Sequence, residues 1–284
     1  MDGDQVPGHI KSVKRIGISS KWDDNAIELA GEIYRYLCNK GIDVVLEDDI
    51  ATRIGEKGIR IRRMNVDILI CVGGDGTLLR ALQKTSSLPE PPAVLGINIG
   101  TLGFLTDVPM DRATEVVGGL LKEYEVFERE RLSLSIDGYG LPPATNEVVL
   151  VTAQPAKMLR YVVYVDGQEM EHLRADGLVI ATPTGSTAYS MSAGGPIVDP
   201  RVLSMLVVPL APFKLSARPW VVPMNSKVEV ELSVEKEALV VVDGQYTRTL
   251  KKGEILSVTR HDKPARFVKV GEVSFYEKVR KELS

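Results

Sequence analysis

Val66-Asp67-Ile68-Leu69-Ile70-Cys71-Val72-Gly73-Gly74-Asp75-Gly76-Thr77 is the stretch on which the fold turns. The run Val66 to Val72 is almost wholly apolar and does not alternate. Such runs belong to strands buried on both faces of a parallel sheet. It breaks into a glycine-rich turn, and Thr77 to Lys84 then reads as a helix. Working outward, Arg15 to Ser20 is a strand ending in polar residues. Asp24 or Asn25 is placed to cap a helix that carries Ile27, Leu29, Ala30, Ile33, Tyr34 and Leu37 at helical spacing and stops at Gly41. Asp43 to Leu46 and Ala93 to Ile97 are further strands, and Met110 to Glu123 a further helix. This alternation predicts a doubly wound α/β domain over residues 1–125.

After Glu125 the texture changes. Short runs rich in Val and Ile span 127–137, 147–152, 160–166, 178–181, 228–234, 238–242 and 255–260. Between them stand Asp137-Gly138, Asp166-Gly167, Asp176-Gly177 and Asp243-Gly244, each a hairpin signal. Residues 126–270 are therefore expected to form a β-rich, largely antiparallel domain. Ser274 to Leu283 reads as a charged helix.

Composition narrows the function. The 284 residues are 44% hydrophobic and 26% charged, which excludes gross disorder. A net charge of −3 leaves no overall basic field, so nucleic acid is not an expected partner. Cys38 and Cys71 are too few for a disulfide framework and suit a reducing compartment. The first residues lack the pattern of a secretion signal, and the longest apolar stretch, Val202 to Phe213, is too short to span a bilayer. The expected location is the cytoplasm, with no membrane partner.

Three segments carry chemistry. In Gly73-Gly74-Asp75-Gly76-Thr77 the glycines let backbone amides approach an anion beside a helix N-terminus, at the end of a strand where open sheets bind ligands. Asp75 would repel that anion if the loop were only a phosphate cradle. It fits a general base or a ligand to a metal shared with phosphates; otherwise it is a cap in a tight turn. Neither a Walker pattern nor a G-x-G-x-x-G occurs. The second segment is Gly96-Ile97-Asn98-Ile99-Gly100-Thr101-Leu102-Gly103-Phe104-Leu105-Thr106, where Phe104 offers a face to a base or simply fills a core. The third, Thr182-Pro183-Thr184-Gly185-Ser186-Thr187-Ala188-Tyr189-Ser190-Met191-Ser192, is dense in hydroxyls suited to ribose and phosphate oxygens, or is a polar surface loop. His9, His172 and His261 are too scattered for a zinc site, and no G-x-S-x-G elbow exists.

Together these segments resemble the NAD kinase family. Gly-Gly-Asp-Gly alone is shared with 6-phosphofructokinases, diacylglycerol kinases and sphingosine kinases. Its combination with the 98–104 motif, Asn146-Glu147 and Thr-Pro-Thr-Gly-Ser-Thr-Ala-Tyr at 182–189 is far more specific. The resemblance implies an α/β domain rejoined by a C-terminal segment, 271–284, and a nucleotide crevice between the domains. It implies transfer of a phosphoryl group from ATP or polyphosphate to the adenosine ribose 2′-hydroxyl of NAD, with Mg²⁺ or another divalent metal, in a homo-oligomer (dimer or tetramer). Asp75 would be the catalytic base, and Gly73, Gly74, Gly76 and Thr77 the phosphate loop. NAD contacts would fall on Asp75, Gly76, Arg80, Phe104, Asn146, Glu147, Lys157, Arg174, Asp176, Thr187, Ala188, Tyr189, Ser192, Ala211 and Gln245. Two rivals stand beside this: a sugar or lipid kinase sharing the Gly-Gly-Asp-Gly loop, and a non-catalytic NADP-binding sensor.

Overall fold

The computed structural model describes residues 13–100, 103–154, 156–233, 235–271 and 274–283. The chain divides into two compact units, one of residues up to Glu128 together with those from Ala265 on, the other Arg129–Pro264.

In the first unit, strands β1 (Arg15–Ser20), β2 (Asp43–Glu47), β3 (Gly58–Ile59), β4 (Ile68–Val72), β5 (Ala93–Asn98), β6 (Val108–Pro109) and β7 (Val126–Arg129) alternate with helices α1 (Asp24–Asn39), α2 (Asp48–Ile54), α3 (Asp75–Thr85) and α4 (Ala113–Leu120). The sheet order is β3-β2-β1-β4-β5, then the returning strand Ala265–Val268, then β7, with β6 also on β5. β1 pairs in parallel with β2 and β4, and β4 with β5. Along β4, Ile68, Ile70 and Val72 enter one core while Leu69 and Cys71 enter another, which is why the run needs no polar alternation.

Several boundaries differ from expectation. Asp23, not Asp24 or Asn25, caps α1 by accepting the Ala26 N–H, and Gly41 follows the helix at φ +76°. The helix expected from Met110 to Glu123 begins as a 3₁₀ turn and is α-helical only from Ala113 to Leu120, close to the helix-weakening pair Gly118-Gly119. The return to this unit starts at Ala265, earlier than 271, because residues 265–268 are themselves a strand of its sheet. The first twelve residues, Thr101, Leu102 and Val234, which fall within the expected domain, motif and strand, lie outside the described residues.

The second unit holds β8 (Leu132–Ile136), β9 (Tyr139–Ala144), β10 (Glu147–Thr152), β11 (Leu159–Val165), β12 (Gln168–Ala175), β13 (Gly177–Ala181), β14 (Ser204–Leu210), β15 (Trp220–Pro223), β16 (Val228–Leu232), β17 (Ala238–Val242), β18 (Tyr246–Leu250) and β19 (Ile255–Arg260), with the short helix α5 (Tyr189–Ser192). They form two six-stranded sheets, β15-β14-β13-β10-β17-β18 and β12-β11-β16-β19-β8-β9, whose facing side chains share one core. Three of the four Asp-Gly pairs close hairpins with φ positive at both residues, as a primed turn requires: Asp137-Gly138, Asp166-Gly167 and Asp243-Gly244.

Asp176-Gly177 does not close a hairpin. It joins strands of different sheets, and Gly177 is needed because a Cβ there would collide with the Leu150 carbonyl. The run expected as one strand over 127–137 is split into β7 and β8. Pro142-Pro143 lie within β9, an edge strand where a missing N–H costs little.

Candidate active site

The carboxyl ends of β1, β4 and β5 meet at the glycine loop of the first unit. The Lys21 N–H donates to the Val72 carbonyl and the Gly73 N–H to the Ile97 carbonyl, each at 2.8 Å. A side chain at Gly73 would strike Thr77 Oγ1, whereas the space around Gly74 is open. The loop thus keeps backbone exposed at the start of α3, where the helix dipole favours an anion.

Asp75 is the first residue of α3, and the cap position belongs to Gly74. The cap reading of Asp75 therefore falls. Its carboxylate turns instead to the segment after β5. Oδ2 accepts the Phe104 N–H at 2.9 Å, while Oδ1 accepts the Leu105 N–H at 3.1 Å, the Thr106 N–H at 3.0 Å and the Thr106 hydroxyl at 2.9 Å. The Asn98 amide donates to Thr106 Oγ1 at 2.8 Å, and Asn98 Oδ1 accepts the Gly100 N–H. The second motif is thus the clamp that orients the first. Lys278, from helix α6 (Phe275–Glu282), fastens the clamp by donating to the Phe104 carbonyl and pairing with Asp107. Phe104 itself is half-buried.

Arg80, one turn further along α3, is engaged. Its guanidinium grips Glu47 with two N–H···O contacts of 2.7 Å and donates to Ser19 Oγ at 2.9 Å. Glu47 is buried, and its hydrogen bonds to the guanidinium hold the Arg80 pKa above its ordinary value against the opposing effect of burial. Any ligand contact by Arg80 must use its remaining N–H groups. Glu47 was not anticipated; in sequence it is one of three consecutive acidic residues, Glu47-Asp48-Asp49, with nothing to single it out.

In the second unit the other two motifs meet. The Thr182 N–H donates to the Asn146 carbonyl and its hydroxyl to the Thr145 carbonyl, at 2.8 and 2.7 Å. Thr182 Oγ1 accepts the Gly185 N–H, and Gly185 lies so close to Asn146 that a Cβ would overlap its carbonyl. Thr187 is buried, Ala188 half-buried, and Tyr189 and Ser192 are exposed. Asn146 and Glu147 are both buried, and Asn146 Oδ1 and Glu147 Oε2 have no hydrogen-bond partner. Burial, then the nearby charge of Asp243, pushes the Glu147 pKa up to about 8, and an amide bond from Tyr189 opposes the rise. Asp243 accepts the N–H groups of Thr145, Asn146 and Glu147 at 2.7, 2.9 and 3.0 Å. It precedes Gly244 and the exposed Gln245 in the β17–β18 turn. Sequence reading took Asp243 for turn chemistry only, and Arg131, buried nearby, was missed altogether.

The remaining predicted contacts gather elsewhere in the same unit. The Asp176 N–H donates to the Leu210 carbonyl, the Phe213 N–H to the Arg174 carbonyl, and Thr152 Oγ1 to the Lys157 carbonyl. Arg174 stacks on the Phe213 ring at 4.8 Å, and Ala211 holds φ +43°. Register places this group at the far end of β10 and β13 from Glu147, since Glu147 faces Ala181 and Val151 faces Gly177. Five strand steps separate them by about 17 Å. The second unit therefore brings its predicted NAD contacts together in two groups, not one.

Among the described residues no three His, Cys, Asp or Glu side chains gather into a metal cage, and no helix is long and apolar enough to cross a membrane.

A carboxylate clamped beside open glycine amides at the end of a parallel sheet is the equipment of an enzyme that moves a phosphoryl group onto a hydroxyl. Residues 13–125 match the ATP-NAD kinase N-terminal domain and residues 145–270 the ATP-NAD kinase C-terminal domain. The NAD kinase of Methanosarcina acetivorans is 42% identical over 278 residues, covering 96% of this chain and 100% of that one. That of Methanothermobacter thermautotrophicus is 44% identical over 275 residues, covering 95% and 96%. Yeast NADH kinase complexed with NADH superposes with a TM-score of 0.87 at 25% identity, covering 96% of this chain and 88% of that one. An NAD kinase from Archaeoglobus fulgidus in complex with ATP gives 0.74 at 33% identity, covering 90% and 93%. The chain belongs to the NAD kinase family, and its activity is the phosphorylation of NAD to NADP. The sugar-kinase, lipid-kinase and sensor readings give way to it.

Proposed function

We propose that Asp75 is the general base of this reaction. The observation that carries the reading is the clamp itself: donors from Phe104, Leu105 and Thr106 fix the carboxylate between the half-buried Gly74 and the exposed Gly76. O2′ of the adenosine ribose attacks the terminal phosphorus of the donor, the bond to the leaving phosphate oxygen breaks, and Asp75 takes the hydroxyl proton. The amides of Gly74 and Gly76 hold the donor's phosphates in line, because the Gly73 N–H donates to the Ile97 carbonyl and the Thr77 N–H to the Gly74 carbonyl. ATP is the donor we favour, in keeping with the ATP bound to the Archaeoglobus relative.

The described side chains build no metal cage, so the chain fits a divalent ion held mainly by the donor's own phosphates, as Mg²⁺ commonly is. Such an ion, when bound, offsets charge on the transferring group. NAD is held by Asn146, Glu147, Thr187, Ala188, Tyr189, Ser192 and Gln245, by the Lys157, Arg174, Asp176 and Ala211 group, and by Gly76, Arg80 and Phe104. With about 17 Å between the two groups of the second unit, one NAD engages both either in an extended form or across two copies of the chain. The latter accords with a homo-oligomer. The cytoplasm is the proposed location.

The test incubates purified protein with NAD and Mg²⁺, with ATP and with polyphosphate in parallel, with and without chelator, and measures NADP. NADP formed with ATP and lost with chelator supports the reading. Full turnover in excess chelator removes the metal from it, and polyphosphate as the better donor overturns the choice of ATP.

A further inference from the structure

Two carboxyl groups are buried side by side in the second unit, and only one of them is well provided with donors. Asp243 is 5% exposed and accepts three backbone N–H groups from the Thr145–Glu147 turn, while its own N–H donates to the Glu147 carbonyl at 3.0 Å. Its φ of +48° holds the side chain over that turn. Arg131, 1% exposed with an unpartnered Nε, adds a positive charge that acts on Asp243. Glu147, 7% exposed, has one amide from Tyr189 and an oxygen without a partner.

We propose that Asp243 is a positioning residue of the NAD site: it fixes the turn that presents Asn146 and Glu147 and, as the second carboxylate, keeps Glu147 protonated, so that Glu147 offers the ligand a hydrogen-bond donor. The inference rests on the assignment of Glu147 to NAD binding. Burial raises both carboxyls, but three amides and Arg131 favour the anion of Asp243 against a single Tyr189 amide for that of Glu147, so the proton sits on Glu147. Two buried anions on neighbouring residues of one strand pair would repel. A neutral Glu147 meets an oxygen of the ligand without that repulsion. The charges around the cluster are Asp243 and Arg131 and, beyond Arg131, His261, Asp262 and Lys263. His261 is pushed below its ordinary value, mainly by burial, and so away from the alkaline limb on which Glu147 is read.

The experiment measures the dissociation constant for NAD by calorimetry from pH 6 to 9, a range in which NAD itself has no titrating group. Wild type, Glu147→Gln, Glu147→Ala and Asp243→Asn are compared. In wild type, affinity should fall roughly tenfold or more as pH passes about 8, because a donor is lost and a buried charge appears. Glu147→Gln cannot lose a proton, so the alkaline fall should vanish. Asp243→Asn removes the like charge, and the fall should move to lower pH. A flat wild-type profile, or a fall that persists in Glu147→Gln, overturns the inference. If Glu147→Ala leaves NAD affinity unchanged at every pH, the assignment of Glu147 to the site fails, and the inference with it. If Glu147→Ala weakens binding while the wild-type profile is flat, the site stands and the shared proton does not. Should Asp243→Asn not fold, the Glu147→Gln comparison decides alone.

Discussion

Gly103 sits against the Asp75 carboxylate so closely that a methyl group at position 103 would overlap both carboxylate oxygens. The glycine of the second motif is thereby explained by the aspartate of the first. Gly103→Ala should displace Asp75 while leaving the β-sheet core untouched. A displacement on the order of 1 Å at a reacting group can cost about 10²-fold in rate. We expect kcat to fall by roughly that factor with little change in melting temperature. An unaltered kcat would separate the Asp75 position from catalysis.

Arg80 and Glu47 form the second expectation. Breaking a buried pair by removing one partner leaves an uncompensated charge. Arg80→Met should destabilise the protein by about 3 kcal/mol, the low end for such pairs because the Arg80 side chain is 28% exposed. Adding Glu47→Gln should recover part of that loss. Urea titrations of both variants check it, and equal stability in single and double variants would refute the coupling.

Asp176 belongs to the group at the far end of β10, remote from Glu147. Contacts made equally in ground and transition states affect KM more than kcat. Asp176→Ala should therefore raise KM for NAD about tenfold or more, with a smaller change in kcat. Steady-state kinetics read both terms, and a collapse of kcat at constant KM would move Asp176 into the chemistry.

Stability should also depend on pH through Glu147. Folded Glu147 keeps its proton to about pH 8, whereas the unfolded side chain releases it near its ordinary 4.5. Between these values the folded state binds the extra proton, so stability falls as pH rises and levels off above about 8. The ceiling is a few kcal/mol, from roughly three pH units at about 1.4 kcal/mol each. Urea midpoints at pH 5, 6.5 and 8 should show this slope in wild type and a flatter one in Glu147→Gln; equal slopes would contradict it.

The parts of the molecule legible in sequence are those set by local rules. The apolar run of β4 announced a parallel sheet because both of its faces are covered, and three Asp-Gly pairs announced hairpins because primed turns demand positive φ at both residues. Asp176-Gly177 misled because its glycine answers a tertiary approach to Leu150, which no local pattern records. At the site, the turn of the glycine loop between β4 and α3 was readable from its glycines. The pairings were not: Glu47 for Arg80 and Asp243 and Arg131 for Glu147 come from distant positions, and that the 104–106 amides of the second motif bind Asp75 of the first is a tertiary contact across about thirty residues.

Asp75→Asn tests the central claim. Asparagine keeps the volume, and its carbonyl oxygen can still accept from Leu105 and Thr106, so the clamp should lose only the bond from Phe104, about 1 kcal/mol. It cannot take a proton, and general-base catalysis supplies about 10²–10⁴-fold in rate. Measuring kcat and the NAD dissociation constant of the folded variant decides the matter. The account predicts kcat lower by roughly two to four orders of magnitude with NAD binding changed by less than about tenfold. A near-normal kcat, or a loss seen only in NAD affinity, would contradict it.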